Sequence, residues 1–148
     1  MQIKSRSFNN EDRIPTRYTC DGEDINPPLD ITDIPEEAET LALIMDDPDA
    51  PNGTWVHWLI WNIPVINQGF SIDEGVEPAD AVYGTNDFDK LEYGGPCPPF
   101  GTHRYFFKVY ALDRELDLEE GSTKEDLMIE IEKYMIDRAQ LIGKYSKK

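Results

Sequence analysis

Apolar and polar residues alternate in short runs along most of the chain. Over residues 40–47, Leu41, Leu43 and Met45 share one face, and by period two Asp47 continues that row. Residues 56–63 are apolar on both faces, with His57, Leu59 and Trp61 on one and Val56, Trp58 and Ile60 on the other. Such a run predicts a central strand covered on each side. Residues 104–113 form the longest strand candidate. His103, Tyr105, Phe107, Val109 and Ala111 lie on one face, and Arg104, Phe106, Lys108, Tyr110 and Leu112 on the other. Shorter strand signals fall at 3–8, 29–34, 68–71 and 81–83, and the tail alternates from Arg138, with Ala139, Leu141, Gly143 and Tyr145 on one side. One helix is predicted. Ser122 as N-cap and Glu125 form a capping box, and Leu127, Met128, Ile131, Tyr134 and Met135 keep helical spacing to about Ile136. Many short strands, long turns and one late helix predict a single, mainly β domain over 1–148, built as a sandwich or partial barrel.

Three of these rows end in polar groups. Leu41, Leu43 and Met45 lead to Asp47; Leu59 and Trp61 follow His57; Phe107 and Val109 follow His103 and Tyr105. If the three strands are neighbours, antiparallel pairing brings Asp47 near His57 at one end of the sheet. Carboxylates, two imidazoles and a phenol then form a polar mouth on an apolar floor, the usual form of a small-ligand pocket. The loop before His103 holds Gly94 and Gly95 with Pro96, Pro98 and Pro99. A stiff backbone with glycines suits close approach by a ligand. The same residues also admit a plain structural reading: a histidine on an apolar strand can be a satisfied core residue, Asp47-Pro48-Asp49 a capped turn, and the tryptophans core.

Composition narrows the choices. A chain of 148 residues with 39% hydrophobic content and 3 Trp, 7 Tyr and 6 Phe can fill one core, and at this size about 70% of the unfolded chain's surface can be buried. The net charge of −16 argues against nucleic-acid or anionic-membrane partners, which need basic patches. No apolar run approaches a membrane span, and the first residues lack a signal-peptide pattern, so a cytoplasmic protein is expected. Cys20 and Cys97 are then expected as reduced thiols, although a bridge between their two loops stays open.

Two stretches carry a resemblance. Asp47-Pro48-Asp49-Ala50-Pro51 followed by Trp55-Val56-His57-Trp58, and Gly94-Gly95-Pro96-Cys97-Pro98-Pro99 followed by His103-Arg104-Tyr105, resemble the two signatures of the phosphatidylethanolamine-binding protein family, also called Raf kinase inhibitor-like proteins. The loop from Cys20-Asp21-Gly22 to Asn26-Pro27-Pro28-Leu29 is similar to that of the prokaryotic branch. The resemblance implies a Greek-key β-sandwich of two antiparallel sheets. It implies an anion pocket lined by Asp47, Asp49, Trp55, His57, Gly95, Pro96, His103 and Tyr105. It also implies phosphate-, acetate- or phosphoethanolamine-like ligands, a possible kinase or protease partner and a homodimer, with no cofactor. Compared with many relatives, the segment between Pro99 and His103 is short. The helix at 122–136 and the strand-like tail stand where animal members carry a C-terminal helix.

The expected mechanism is binding rather than catalysis. The imidazoles and the phenol donate to an anion, helped by any free N–H groups of residues 94–96, while Asp47 or Asp49 accepts from one imidazole. Arg104 points to the opposite face and pairs with an acid such as Asp47 or Glu92. Two alternatives compete: a metal-dependent hydrolase using the histidines and aspartates, and a serine-protease inhibitor acting through a surface loop at 73–89.

Overall fold

The computed structural model describes residues 1–147. Eight strands form two antiparallel sheets. The small sheet is β1 (Gln2–Lys4), β2 (Leu29–Thr32) and β5 (Phe70–Ile72), in the order β1-β2-β5. The large sheet holds β3 (Thr40–Asp47), β4 (Trp55–Pro64), β6 (Val82–Tyr83), β7 (Thr102–Leu112) and β8 (Met135–Ser146), in the order β6-β4-β3-β7-β8. Among the described residues, a single 3-10 turn covers Thr16–Tyr18, and one helix, α1, covers Lys124–Tyr134. The expected two-sheet β fold with one late helix is what the chain adopts. The first strand is shorter than the 3–8 run suggested, and the last begins at Met135, ahead of Arg138.

β3 is apolar because it is central, and all eight of its residues are buried. One face turns to the sandwich interior, where Leu41, Leu43 and Met45 meet Tyr105, Phe107 and Val109 of β7 and Ile31 and Leu29 of the small sheet. The other face carries Ala42 and Ile44 with Leu127 and Ile131 of α1. Three layers result, and fully burying each large side chain contributes about 1.5–3 kcal/mol.

β4 departs from strict alternation at two bulges. Met45 faces Trp58 but Asp46 faces Val56, so His57 is an extra residue; between Leu43 opposite Ile60 and Leu41 opposite Ile63, a second residue is inserted. Asn62, in this second bulge, has φ 56°. Trp58 and Ile60 therefore face the sandwich interior, and Val56, Leu59 and Trp61 face α1. The expectation that His57 shares a face with Leu59 and Trp61 is thus corrected. A bulge sets two consecutive residues on nearly the same side, and His57 lies with Trp58 on the interior side.

α1 starts one residue later than expected. Thr123, not Ser122, is the N-cap: its hydroxyl accepts from the Asp126 amide while the Asp126 carboxylate accepts from the Thr123 amide. Ser122 instead donates to the Glu119 carbonyl.

The cysteines also differ from expectation. Cys20 and Cys97 form a disulfide across 77 residues of sequence. A backbone bond holds the two loops together beside it, the Cys20 N–H donating to the Pro96 carbonyl at 3.1 Å. Among the described residues, no helix is long and apolar enough to cross a membrane.

Candidate functional site

The pairing of β3 with both β4 and β7 brings three strand ends together. Asp47 lies opposite Trp55 on one side, and Asp46 lies opposite Phe106 on the other. At this end a cavity of about 320 Å³ opens, lined by Asp47, Trp55, His57, His103 and Tyr105 with apolar walls from Pro51, Phe88, Pro98 and Pro99. Five of the eight expected site residues line it.

Both imidazoles are fixed through Nδ1. His57 Nδ1–H donates to the Gly94 carbonyl at 2.7 Å. A carbonyl only accepts, so the proton sits on Nδ1. His103 Nδ1 bonds Asp47 Oδ2 at 2.6 Å in a buried pair. Asp47 thus pairs with His103 rather than with His57, because the extra residue at His57 turns that ring toward the Gly94 loop. The second Asp47 oxygen accepts from the Asp49 amide at 2.8 Å. Both oxygens of Asp47 are therefore engaged by the protein, which makes it a positioning group. Nε2 is the second polar atom of each ring.

The electrostatics follow from burial. His57 is held below its ordinary proton affinity chiefly by burial, against the opposing pull of the Gly94 carbonyl and Asp47. It is a neutral acceptor at Nε2 near pH 7. The Tyr105 hydroxyl is pushed far up, first by burial and then by the Asp47 charge, and it stays a phenol beside the Cys97 amide. The His57 and Tyr105 rings meet edge to face at 5.2 Å.

The remaining expected residues have other roles. Asp49 does not line the cavity. It takes a two-pronged ion pair from Arg104, Oδ2 accepting from Nε and Oδ1 from Nη2, each at 2.9 Å. These bonds hold its carboxyl at about 2. Arg104 accordingly pairs with Asp49 and not with Asp47 or Glu92. Gly95 and Pro96 lie behind the wall. The Gly94 N–H donates to the His57 carbonyl, the Gly95 N–H donates to Asp24 at 2.8 Å, and proline has none. The expected free N–H donors of this loop are therefore all committed internally. A Cβ on Gly95 would strike Asp24 and the Tyr18 carbonyl, which accounts for glycine there.

Phe88 was not anticipated. Its ring meets Trp55 at 5.6 Å and His57 at 5.3 Å, both edge to face. It rests on Gly94, where a Cβ would come within 2.5 Å of the ring. Buried Asn86 sets this turn: its amide donates to the carbonyls of His57 and Glu92, and its oxygen accepts from the amides of Phe88 and Lys90. The sequence signal is one aromatic in an Asn86-to-Asp89 turn motif, but nothing local aims it at His57, 31 residues earlier. The loop at 73–89 is also well anchored. Glu77 accepts from Trp58 Nε1 at 2.7 Å and the Asp73 carbonyl from Asn26 at 3.0 Å, while Val82 and Tyr83 pair with β4. Among the described residues, no group of three or more His, Cys, Asp or Glu could hold a metal ion.

The architecture is an antiparallel β-sandwich with a small pocket at the ends of its central strands. The family model described as phosphatidylethanolamine-binding protein matches residues 4–146. A UPF0098 protein of Methanothermobacter thermautotrophicus is 52% identical over 148 residues, covering 98% of each chain. Among solved structures, a candidate phosphatidylethanolamine-binding protein homologue from Chlamydia trachomatis superposes with TM-score 0.93 at 40% identity, covering 99% of this chain and 97% of that one. Escherichia coli YbcL, described as a member of the mammalian family, superposes with TM-score 0.90 at 28% identity, covering 99% and 98%. The chain belongs to the phosphatidylethanolamine-binding protein family.

Proposed function

We propose that the protein binds small phosphate-like anions, free or as phospho-headgroups, and does not convert them. The observation that carries this reading is the fixing of both imidazoles through Nδ1 in one cavity, to Gly94 and to Asp47. The two rings then divide the work. Neutral His57 accepts at Nε2 from a ligand hydroxyl. His103, held through Nδ1 by Asp47, presents Nε2 to a ligand oxygen or hydroxyl. The Tyr105 phenol supplies a further donor. A singly protonated phosphomonoester offers both a P–OH and anionic oxygens, so it fits this set better than a dianion. The apolar walls of Trp55, Phe88 and the prolines receive the uncharged part of the ligand.

Titration with phenyl phosphate, followed by NMR of the two histidine rings, tests the reading. Both ring signals are expected to move, and His57→Ala is expected to abolish the response at His103 in the same concentration range. No movement at millimolar ligand sinks the proposal. Control of a protease or kinase, if exerted through this pocket, depends on occupancy, and His57→Ala removes it. The competing reading puts inhibition on the loop at 73–89. Serine-protease inhibition that survives His57→Ala and is lost on shortening that loop favours the loop.

A further inference from the structure

The Cys20–Cys97 disulfide stands in the wall of the pocket. Cys97 lines the 320 Å³ cavity beside Pro98 and Pro99. Cys20 and Cys97 also line a second cavity of about 330 Å³ with Asp24, Lys90 and Glu92, and Phe88 borders both. Tyr105 lines the same cavity, so the residue that carries the sulfur shares a wall with a polar group of the site. Among the described residues, few other bonds tie the two loops. Besides Cys20 to Pro96, they are Gly95 to Asp24 at 2.8 Å and the Tyr93 hydroxyl to the Tyr18 carbonyl at 2.7 Å. Both cysteines are exposed, within reach of a small dithiol.

We propose that this disulfide is a redox gate on the anion pocket: closed, it fixes the Cys97–Pro99 wall for binding, and opened, it lets the wall move toward the second cavity and weakens the ligand. The inference rests on the anion reading above. In the opening step a thiolate of a dithiol attacks one sulfur and the Sγ–Sγ bond breaks. The second thiol of the reductant resolves the mixed disulfide. Two protein thiols form, both protons come from the dithiol, and the reductant leaves as its cyclic disulfide. Linkage makes the coupling reciprocal. Whatever factor reduction costs the ligand, bound ligand adds to the difficulty of reduction.

The test titrates phenyl phosphate into oxidised protein, into protein reduced with dithiothreitol, and into Cys20→Ser, which opens the bond without reductant. Mass spectrometry fixes the thiol state and circular dichroism the fold. Affinity is expected to fall about fivefold or more in both open forms, at the lower end of typical coupling. Saturating phenyl phosphate is expected to lower the midpoint potential by about 20 mV, that fivefold factor converted for a two-electron couple. Equal affinity in open and closed forms overturns the gate and leaves the anion reading standing. No binding even in the oxidised form overturns the anion reading and the gate with it. A reduced protein that unfolds overturns the gate, since the bond then holds the fold rather than the pocket.

Discussion

Burial keeps His57 neutral, and that choice has a pH signature. Its folded proton affinity lies below the ordinary value of 6.5, so beneath that pH the unfolded chain holds more protons than the folded one. Stability from this residue is therefore full above about 6.5 and is lost as pH falls through the folded value. His57→Ala is expected to lower stability at pH 7.5 by about 1–3 kcal/mol, because the Gly94 carbonyl loses its donor. It is also expected to flatten the decline between pH 6.5 and 4.5, read from urea midpoints at each pH. An unchanged slope would show that His57 does not titrate with unfolding. The two aspartates of the first motif separate just as clearly. Asp47→Ala removes the acceptor that orients His103 and is expected to weaken phenyl phosphate about tenfold or more, the equivalent of one charge-assisted hydrogen bond. Asp49→Ala frees a partly exposed pair with Arg104 and is expected to change affinity by about twofold or less, since exposed pairs contribute little. Its stabilising effect, present above pH 3.8 and lost as pH falls toward about 2, belongs to acid unfolding. Sequence periodicity placed Asp47, His57, His103 and Tyr105 at neighbouring strand ends, where they line one cavity, but could not apportion the contacts of Asp47 and Asp49, because both carboxylates sit within three positions and only side-chain geometry chooses between them.

At the level of elements, period two was a sound guide where strands are regular and failed where pairing carries an insertion. The rows of β3 and β7 were legible from Leu41 to Met45 and from Tyr105 to Ala111. The row through His57 was not, because a bulge is a property of two strands and leaves no necessary mark on one. Asn62 was a faint clue, since asparagine tolerates the left-handed backbone found there. The helix start shows a similar degeneracy. Ser122 and Thr123 are both good caps, followed three residues on by Glu125 and Asp126. The structure resolves the tie through the reciprocal bonds of Thr123 and Asp126. Thr123→Ala is expected to cost about 1 kcal/mol of stability, and Ser122→Ala clearly less, because its hydroxyl meets only the Glu119 carbonyl. Equal urea midpoints for the two variants would move the cap back to Ser122.

Across the whole molecule, the β-sandwich with one late helix was legible, because alternating strands leave few ways to bury their apolar faces. The disulfide was not, since two cysteines 77 residues apart meet only through tertiary pairing of their loops. Net charge acts at this scale too. Thirty acidic against 14 basic side chains repel one another in the compact state, which destabilises it. Salt screens that repulsion, and it also screens the exposed pairs Arg6–Asp30, Arg17–Glu74 and Arg114–Asp113. Each such pair contributes about 0–1 kcal/mol, while the buried Asp46, held by Lys108 and Lys124 at 3.1 and 2.8 Å, is screened far less. Repulsion wins, so Tm is expected to rise with sodium chloride. Phosphate at matched ionic strength adds binding to screening, contributing about 1.4 kcal/mol at ten times its Kd. His57→Ala is expected to erase the difference between phosphate and chloride while keeping the rise with chloride. Were the variant to keep the phosphate increment, the anion would be binding elsewhere. Were Tm to fall with chloride, ion pairs rather than repulsion would govern the stability of this acidic sandwich.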